Sequence, residues 1–394
     1  MCLTFILDDR CMKNIFFYSL LVLVFSSFIS SCHSVSNQNE MSVVCKLTDN
    51  KYAKGFEIDS VPGLIRVTVF NPWSEERVVL SRYYLGRHDS LADSVPADGR
   101  FIKIPLQRSA VTSGTHIGFL ESLGQLDRIV GICYADRIYN DTICKRISEG
   151  KIADLEDPFM INFEKLIALK PNAIIASGYN QQDEYSHRMA QTGVPVVFVN
   201  EWMETSPLAR AEWIKYMGVF FDCREQAGVV FDEVALAYEK LRAEASGNDK
   251  KASIMTGENF RGTWYMPGGN NWMATLFRDA GADYAYADTP EYGSLPLSTE
   301  EVLSRFKSAD VWVNVNSSSL NELKAADNKH AFFKAFKTGN VYANSKRTKG
   351  LANDFWERGV MQPHLLLKDY ICILNNSSDR SADSSKLTFL ERVD

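Results

Sequence analysis

Phe163-Glu164-Lys165-Leu166-Ile167-Ala168-Leu169-Lys170-Pro171-Asn172-Ala173-Ile174-Ile175-Ala176 carries the reading of the fold. Phe163 to Leu169 reads as a helix, Lys170-Pro171-Asn172 as its end, and Ala173 to Ala176 as an apolar strand. Laid without a gap over Glu300 to Trp312, the stretch Glu164 to Ala176 matches helix with helix and strand with strand. Glu164 meets Glu300, Leu166 meets Val302, Ile167 meets Leu303, Ala173 meets Ala309 and Ile175 meets Val311. One helix–strand unit used twice predicts two similar lobes with a cleft between them.

Outward from this unit the same alternation continues. Phe101 to Leu106 reads as a strand, followed by a Ser/Thr/Gly loop and a helix around Gly118 to Leu123. Arg128 to Ile132 is the next strand, and Val194 to Val199 closes the lobe after a helix near Tyr185 to Gln191. Strands alternating with helices predict a parallel sheet covered on both faces. A long helix follows. Asp222 stands at its N-cap with Glu225 at capping-box spacing, and Ala227, Phe231, Val234, Tyr238 and Leu241 share one face. The alternation resumes with Lys251–Met255, Trp272–Ala280, Glu300–Phe306, Val311–Val315 and Val341–Ala343, then a last helix from Asp354 to Leu374. Before the first lobe, Gly55–Ile58 and Leu64–Phe70 flank a Pro62-Gly63 turn, and Arg77–Leu85 adds a third strand. The expected fold class is α/β: two βα lobes with parallel sheets joined by one long rigid helix, with a small N-terminal β-appendage. The expected spans are 42–100 for the appendage, 101–204 for the first lobe, 205–248 for the connecting helices and 249–394 for the second lobe.

The N-terminus reads as a signal peptide over 1–31, with Lys13 as its positive charge and Ile15 to Ile29 as its apolar run. Asp8 and Asp9 suit such a segment poorly, so Met12 is an alternative start. The run closes on Ile29-Ser30-Ser31-Cys32, which resembles a bacterial lipobox. That resemblance implies acylation at Cys32, a polar tether over 32–41, and a location on the periplasmic side of a bacterial membrane or at the cell surface. With 45% hydrophobic and 23% charged residues, the rest is an ordinary globular composition, and a net charge of −6 without a basic stripe argues against nucleic-acid binding. Beyond Cys32 there are Cys45, Cys133, Cys144, Cys223 and Cys372, an odd set that is no disulfide framework; Cys133 and Cys144 could close a small loop.

The motifs Leu123-Gly124-Gln125-Leu126-Asp127-Arg128-Ile129-Val130-Gly131, Thr192-Gly193-Val194-Pro195-Val196-Val197, Ser298-Thr299-Glu300-Glu301-Val302-Leu303-Ser304 and Ser308-Ala309-Asp310-Val311-Trp312 join the opening stretch in resembling one family. The chain is similar to class III solute-binding proteins of ABC importers, which handle ferric siderophores, haem and cobalamin. The resemblance spans Phe101 to the last helix. It implies a monomer that binds an iron chelate, haem or cobalamin, carries no resident cofactor, and docks on an ABC permease dimer. It also implies that Glu164 and Glu300 engage arginines of the permease, one from each lobe.

In open parallel sheets ligands gather beyond the carboxyl ends of the strands. That rule selects Arg108, Ser113, His116, Tyr134, Tyr179 and Trp202 in the first lobe, and Arg261, Trp264, Tyr265, Tyr292 and Arg347 in the second. Aromatic walls and forked arginines suit a large, partly anionic chelate, although any one of these residues could instead be rim packing. His116, Tyr134 and Tyr179 are the candidate ligands to haem iron. No nucleophile elbow, P-loop, dinucleotide fingerprint or HExxH helix occurs, so binding without chemistry is the expected activity. The alternative is a surface lipoprotein that captures ligand for an outer-membrane receptor. The paired glutamates favour the importer role, and a stiff connecting helix predicts modest lobe closure.

Overall fold

The structure, a computed structural model, describes residues 45–179, 184–247, 251–377 and 384–394. The signal segment, Cys32 and the tether lie outside the described residues.

Strands β1 (Cys45–Lys46), β2 (Phe56–Val61), β3 (Leu64–Phe70), β4 (Val79–Gly86) and β5 (Arg100–Lys103) form one five-stranded sheet in that order. The first four meander antiparallel, and β5 returns parallel to β4. Gly63 has φ 72, as the second central residue of a Pro-Gly type II turn requires. Alternation puts Phe56, Ile58, Val67, Val69, Tyr83 and Leu85 on one buried face. This corrects the expected start of the first lobe: Arg100–Lys103 is the closing strand of the appendage, and Pro105, with no N–H for a ladder, ends the apolar run.

The first lobe begins at β6 (Ser109–Val111) and continues through β7 (Ile129–Ile132), β8 (Ala153–Asp154), β9 (Ala173–Ala176) and β10 (Val196–Phe198). Their order is β10-β9-β6-β7-β8, all parallel. Helices α1 (Gly114–Ser122), α2 (Asp141–Ser148), α3 (Phe163–Ala168) and α4 (Glu184–Gln191) link them.

Two helices then make the connection, α5 (Pro207–Phe220) and α6 (Arg224–Ala245). Every residue of α5 except Lys215 is buried, so this helix is the shared core rather than a strut on the surface. Phe56 meets Trp213 at 5.0 Å and Tyr83 meets Phe220 at 5.7 Å, which fuses the appendage to α5 in one hydrophobic core. The long helix α6 starts one residue later than its expected cap would place it. Asp222 has φ 56 and gives its carboxylate to Arg87, while Cys223 occupies the N-cap position without a side-chain bond.

In the second lobe β11 (Ile254–Thr256) is followed by an antiparallel excursion of β12 (Asn259–Phe260), β13 (Thr263–Pro267) and β14 (Ser294–Leu297), with α7 (Trp272–Asp279) inserted before the last. Next come α8 (Thr299–Phe306), β15 (Val311–Val315), α9 (Leu320–Ala326), α10 (Lys334–Thr338) and β16 (Val341–Ala343). A hairpin of β17 (Thr348–Lys349) and β18 (Ala352–Asn353), helices α11 (Asp354–Glu357) and α12 (Pro363–Asn375), and β19 (Glu391–Arg392) complete the chain. The main sheet is β11-β15-β16-β19, parallel except for β19. The expected last helix is two, because Pro363 opens a new helix and cannot continue the old one.

The strand trio β16-β15-β11 repeats β10-β9-β6. The helices leading into β15 and β9 are capped alike: Asn162 accepts from the Lys165 N–H and Ser298 from the Glu301 N–H, and these caps fall in register in the same ungapped overlay. Cys133 and Cys144 are not bonded to each other.

Candidate ligand-binding cleft

The loops at the carboxyl ends of β6, β7, β9 and β10 converge on one cavity of about 690 Å³ between the lobes. Thr112–Thr115, Cys133, Tyr134, Arg137, Ser177, Tyr179 and Glu201–Met203 form the first-lobe wall. The opposite wall comes from Asn271 and Trp272 at the start of α7, from Tyr292–Ser294, and from Asn353, Trp356 and Glu357. Short parallel strands that end together make such a mouth, since no side chain of the sheet extends past them.

Among the described residues, seven aromatic rings line it: Tyr134, Phe159, Tyr179, Trp202, Trp272, Tyr292 and Trp356. Phe159 and Tyr179 lie 4.8 Å apart, Tyr179 and Trp202 6.1 Å, so these three form a continuous row. Tyr134 takes φ 52 at the end of β7, which turns its ring toward Arg137 (4.3 Å) while its hydroxyl donates to Asp157 at 3.0 Å.

The charged groups nearly cancel. Arg210 projects from the buried helix α5 to within 3.6 Å of Glu201 and lies 4.4 Å from the ring of Trp272, so it touches both walls. Burial pushes the Glu201 carboxyl up and the Arg210 guanidinium down, and each one's opposite charge resists the shift. Glu357 accepts the Tyr139 N–H at 2.7 Å, and burial pushes its carboxyl up to about 7. Arg137 is left as the one exposed guanidinium among the cleft-lining residues described.

Of the residues expected at the site, Ser113, Tyr134, Tyr179, Trp202 and Tyr292 line the cleft. Ser113 bonds Thr115 Oγ1 at 2.7 Å instead of capping α1. The others stand elsewhere. Arg108 precedes β6, at the amino end of the strand, and donates to the Leu169 carbonyl at 2.7 Å. His116 is fully buried in α1, 3.5 Å from Ser177 Oγ, and burial drives its imidazole down to about 3. It is a neutral core histidine, closed to any iron in the cleft. Arg261 has φ 53 at the exposed tip of the β12–β13 hairpin, stacked on Phe260. Trp264 is fully buried with its Nε1 donating to the Thr256 carbonyl at 2.8 Å. Tyr265 points out from the opposite face of β13, 53% exposed. Arg347 is paired at 2.9 Å with the buried carboxylate of Asp354. Asn180, the residue after Tyr179, lies outside the described residues.

Sequence reasoning misses Phe159, Arg210, Trp272, Trp356 and Glu357: Phe159 follows β8, a two-residue parallel strand without a sequence pattern of its own, and the other four follow no parallel strand. Only Trp272 carries a signal, since Gly268-Gly269-Asn270-Asn271 is a loop opening a helix.

Glu164 and Glu300 occupy the second position of α3 and α8, both exposed. Glu300 bonds Lys329, which lowers its carboxyl; Glu164 has no partner among the described residues.

A family model described as "Periplasmic binding protein" matches residues 110–348. An uncharacterized lipoprotein of Methanocaldococcus jannaschii is 24% identical over 92% of this chain and 93% of its own length. An alignment that broad cannot omit the whole of Cys45–Lys103. A periplasmic haem-binding protein of Pseudomonas aeruginosa superposes with TM-score 0.55 at 16% identity, covering 73% of this chain and 98% of that one. A possible iron-binding (periplasmic solute-binding) protein of Staphylococcus epidermidis gives 0.53 at 19% identity, covering 68% and 98%. A protein of an ABC-type Fe3+-hydroxamate transport system of Saccharomonospora viridis gives 0.53 at 16% identity, covering 70% and 94%.

Proposed function

The chain belongs to the periplasmic binding protein family, and from that premise we propose that it captures a metal chelate in the inter-lobe cleft and delivers it to an ABC permease. The observation that carries this reading is the aromatic cleft itself. Seven rings around about 690 Å³ offer flat, rigid faces to a large ligand at low entropic cost. The iron- and haem-related descriptions of the structural neighbours point the same way.

Charge narrows the class. Arg210 is compensated by Glu201, and Glu357 adds a further acid that is half-ionised near neutrality. A highly anionic tris-catecholate would find one free arginine there. Haem, cobalamin or an uncharged ferric hydroxamate fits this balance better. With His116 sealed in the core and the Tyr134 hydroxyl given to Asp157, Tyr179 and Tyr292 are the phenols open to an iron, since neither hydroxyl has a hydrogen bond among the described residues and the two residues are 37% and 64% exposed.

Delivery uses Glu164 and Glu300, matched carboxylates on the two lobes, as docking points on a two-fold permease, where such pairs set orientation and rate. Acylated Cys32 keeps the carrier at its membrane. The test is titration of the purified protein with haemin, cyanocobalamin and a ferric hydroxamate, followed by tryptophan quenching and visible absorbance. Saturable one-to-one binding of at least one chelate is expected; saturable binding by none refutes the reading.

A further inference from the structure

The N-terminal sheet borders a second cavity, of about 830 Å³, between the β3–β4 loop and the segment leading from β10 into α5. It shares Met203 and Tyr292 with the cleft. Trp73 of that loop lines this cavity. Its ring lies 6.5 Å from Trp202, so it continues the row of cleft aromatics outward onto the appendage. The loop is held in place by its own sheet: Arg77 stacks at 4.0 Å on Phe70 and pairs at 2.9 Å with Glu57. The cavity is therefore preformed.

Two buried donors at this junction have no acceptor among the described residues, Trp202 Nε1 in the cleft wall and Asn200 Nδ2 in the second cavity. Asn200 is 3% exposed, and its Oδ1 is taken by the Gly178 N–H at 2.8 Å, which fixes the amide with its NH2 left over. A buried donor without an acceptor costs free energy that an incoming oxygen restores. Lys54, exposed on the cavity rim and without an ion-pair partner among the described residues, adds a positive charge at the outer end.

We infer that the cleft and this cavity are two compartments of one site, and that the solute carries, beyond its chelate core, an arm with carbonyl or carboxylate oxygens that lies against Trp73 and accepts from Asn200. The inference rests on the chelate reading of the cleft and gives the appendage a role in selectivity, as the wall that recognises the arm.

The experiment uses haemin, cyanocobalamin and ferrioxamine B as probes of the full-length protein and of the variants Trp73→Ala and Asn200→Asp. The aspartate keeps the oxygen that serves Gly178 and replaces the donor with an acceptor. Kd for whichever probe binds should rise about tenfold or more in both variants. Bound probe should also shield Lys54 of the wild type from acetylation, read by mass spectrometry, which decides the matter even where a variant folds poorly. Tight wild-type binding with both variants unchanged and Lys54 fully reactive overturns the two-compartment site and leaves the cleft reading standing. Failure of all three probes to bind the wild type overturns the cleft reading and this inference with it.

Discussion

The backbone N–H of Tyr139 donates at 2.7 Å to Glu357, tying the first lobe to the second at the edge of the cleft. The tie is not alone. Lys349 reaches back from the second lobe to the Tyr139 carbonyl at 3.1 Å, and Arg358 approaches Glu121 at 3.8 Å. Gly118 packs so closely on the Glu357 carbonyl that any side chain there would collide with backbone.

Burial of the Glu357 carboxyl, which the Tyr139 N–H opposes, makes stability depend on pH. Burial raises the Glu357 carboxyl from its usual 4.5 to about 7, so the folded state holds a proton that the unfolded chain releases. The contribution is whole below about pH 4.5, declines as pH rises, and is lost above about 7. Glu357→Gln keeps an acceptor for Tyr139 and never ionises. It should melt like the wild type at pH 4.5 and be more stable at pH 8, by on the order of 3 kcal/mol. Thermal melts across that range check it, and a variant less stable at pH 8 would contradict the assignment.

A second carboxylate holds the appendage. Glu212, fully buried on α5, accepts the N–H groups of Lys51, Tyr52 and Ala53 at 2.7–2.9 Å and pairs with Lys215 at 2.8 Å. Glu212→Ala strands three donors and a cation, and should cost about 3–5 kcal/mol in chemical denaturation. Glu212→Gln, which retains one acceptor oxygen, should lose less.

At the cleft the expected contrast lies between two aromatic side chains that strand-end logic groups together and the fold separates. Trp202→Ala should weaken chelate binding by roughly tenfold or more, as loss of a buried aromatic contact does. His116→Leu should leave affinity unchanged and melt no lower than the wild type, because the imidazole is neutral, has one long side-chain contact, and leaves its Nδ1 unpartnered among the described residues. Isothermal titration separates the two; a large affinity loss in His116→Leu would place this histidine in the site after all.

Reversing both docking charges, Glu164→Arg with Glu300→Arg, should abolish ligand uptake in cells while Kd for the ligand stays as it was. Uptake that survives the double reversal excludes these residues as permease contacts.

The repeat is legible because it is written in caps and apolar spacing: Ala173–Ala176, Val311–Val315 and Val341–Ala343 fall where sequence places them. The cleft is legible only where a strand end is right. Tyr134, Tyr179 and Trp202 follow β7, β9 and β10 closely. Arg108 misleads because Phe101–Leu106 reads as the first lobe strand, and a four-residue edge strand reads no differently from a central one. Arg261, Trp264 and Tyr265 follow β11 in sequence, yet they belong to an antiparallel excursion that strand-end logic does not foresee. Trp356 and Glu357 reach the cleft from a short helix, and Arg210 from a helix whose near-complete burial hides any amphipathic pattern.

The grip of Glu204 and Glu212 on residues 51–55 also has a mechanical side. Any pull on the chain ahead of Cys45 is transmitted past the thin edge strand β1 to α5, the helix shared by both lobes. Were the chain anchored through an acylated Cys32, as proposed, a pull would fall on the helix that the two lobes share and not on the mouth of the cleft.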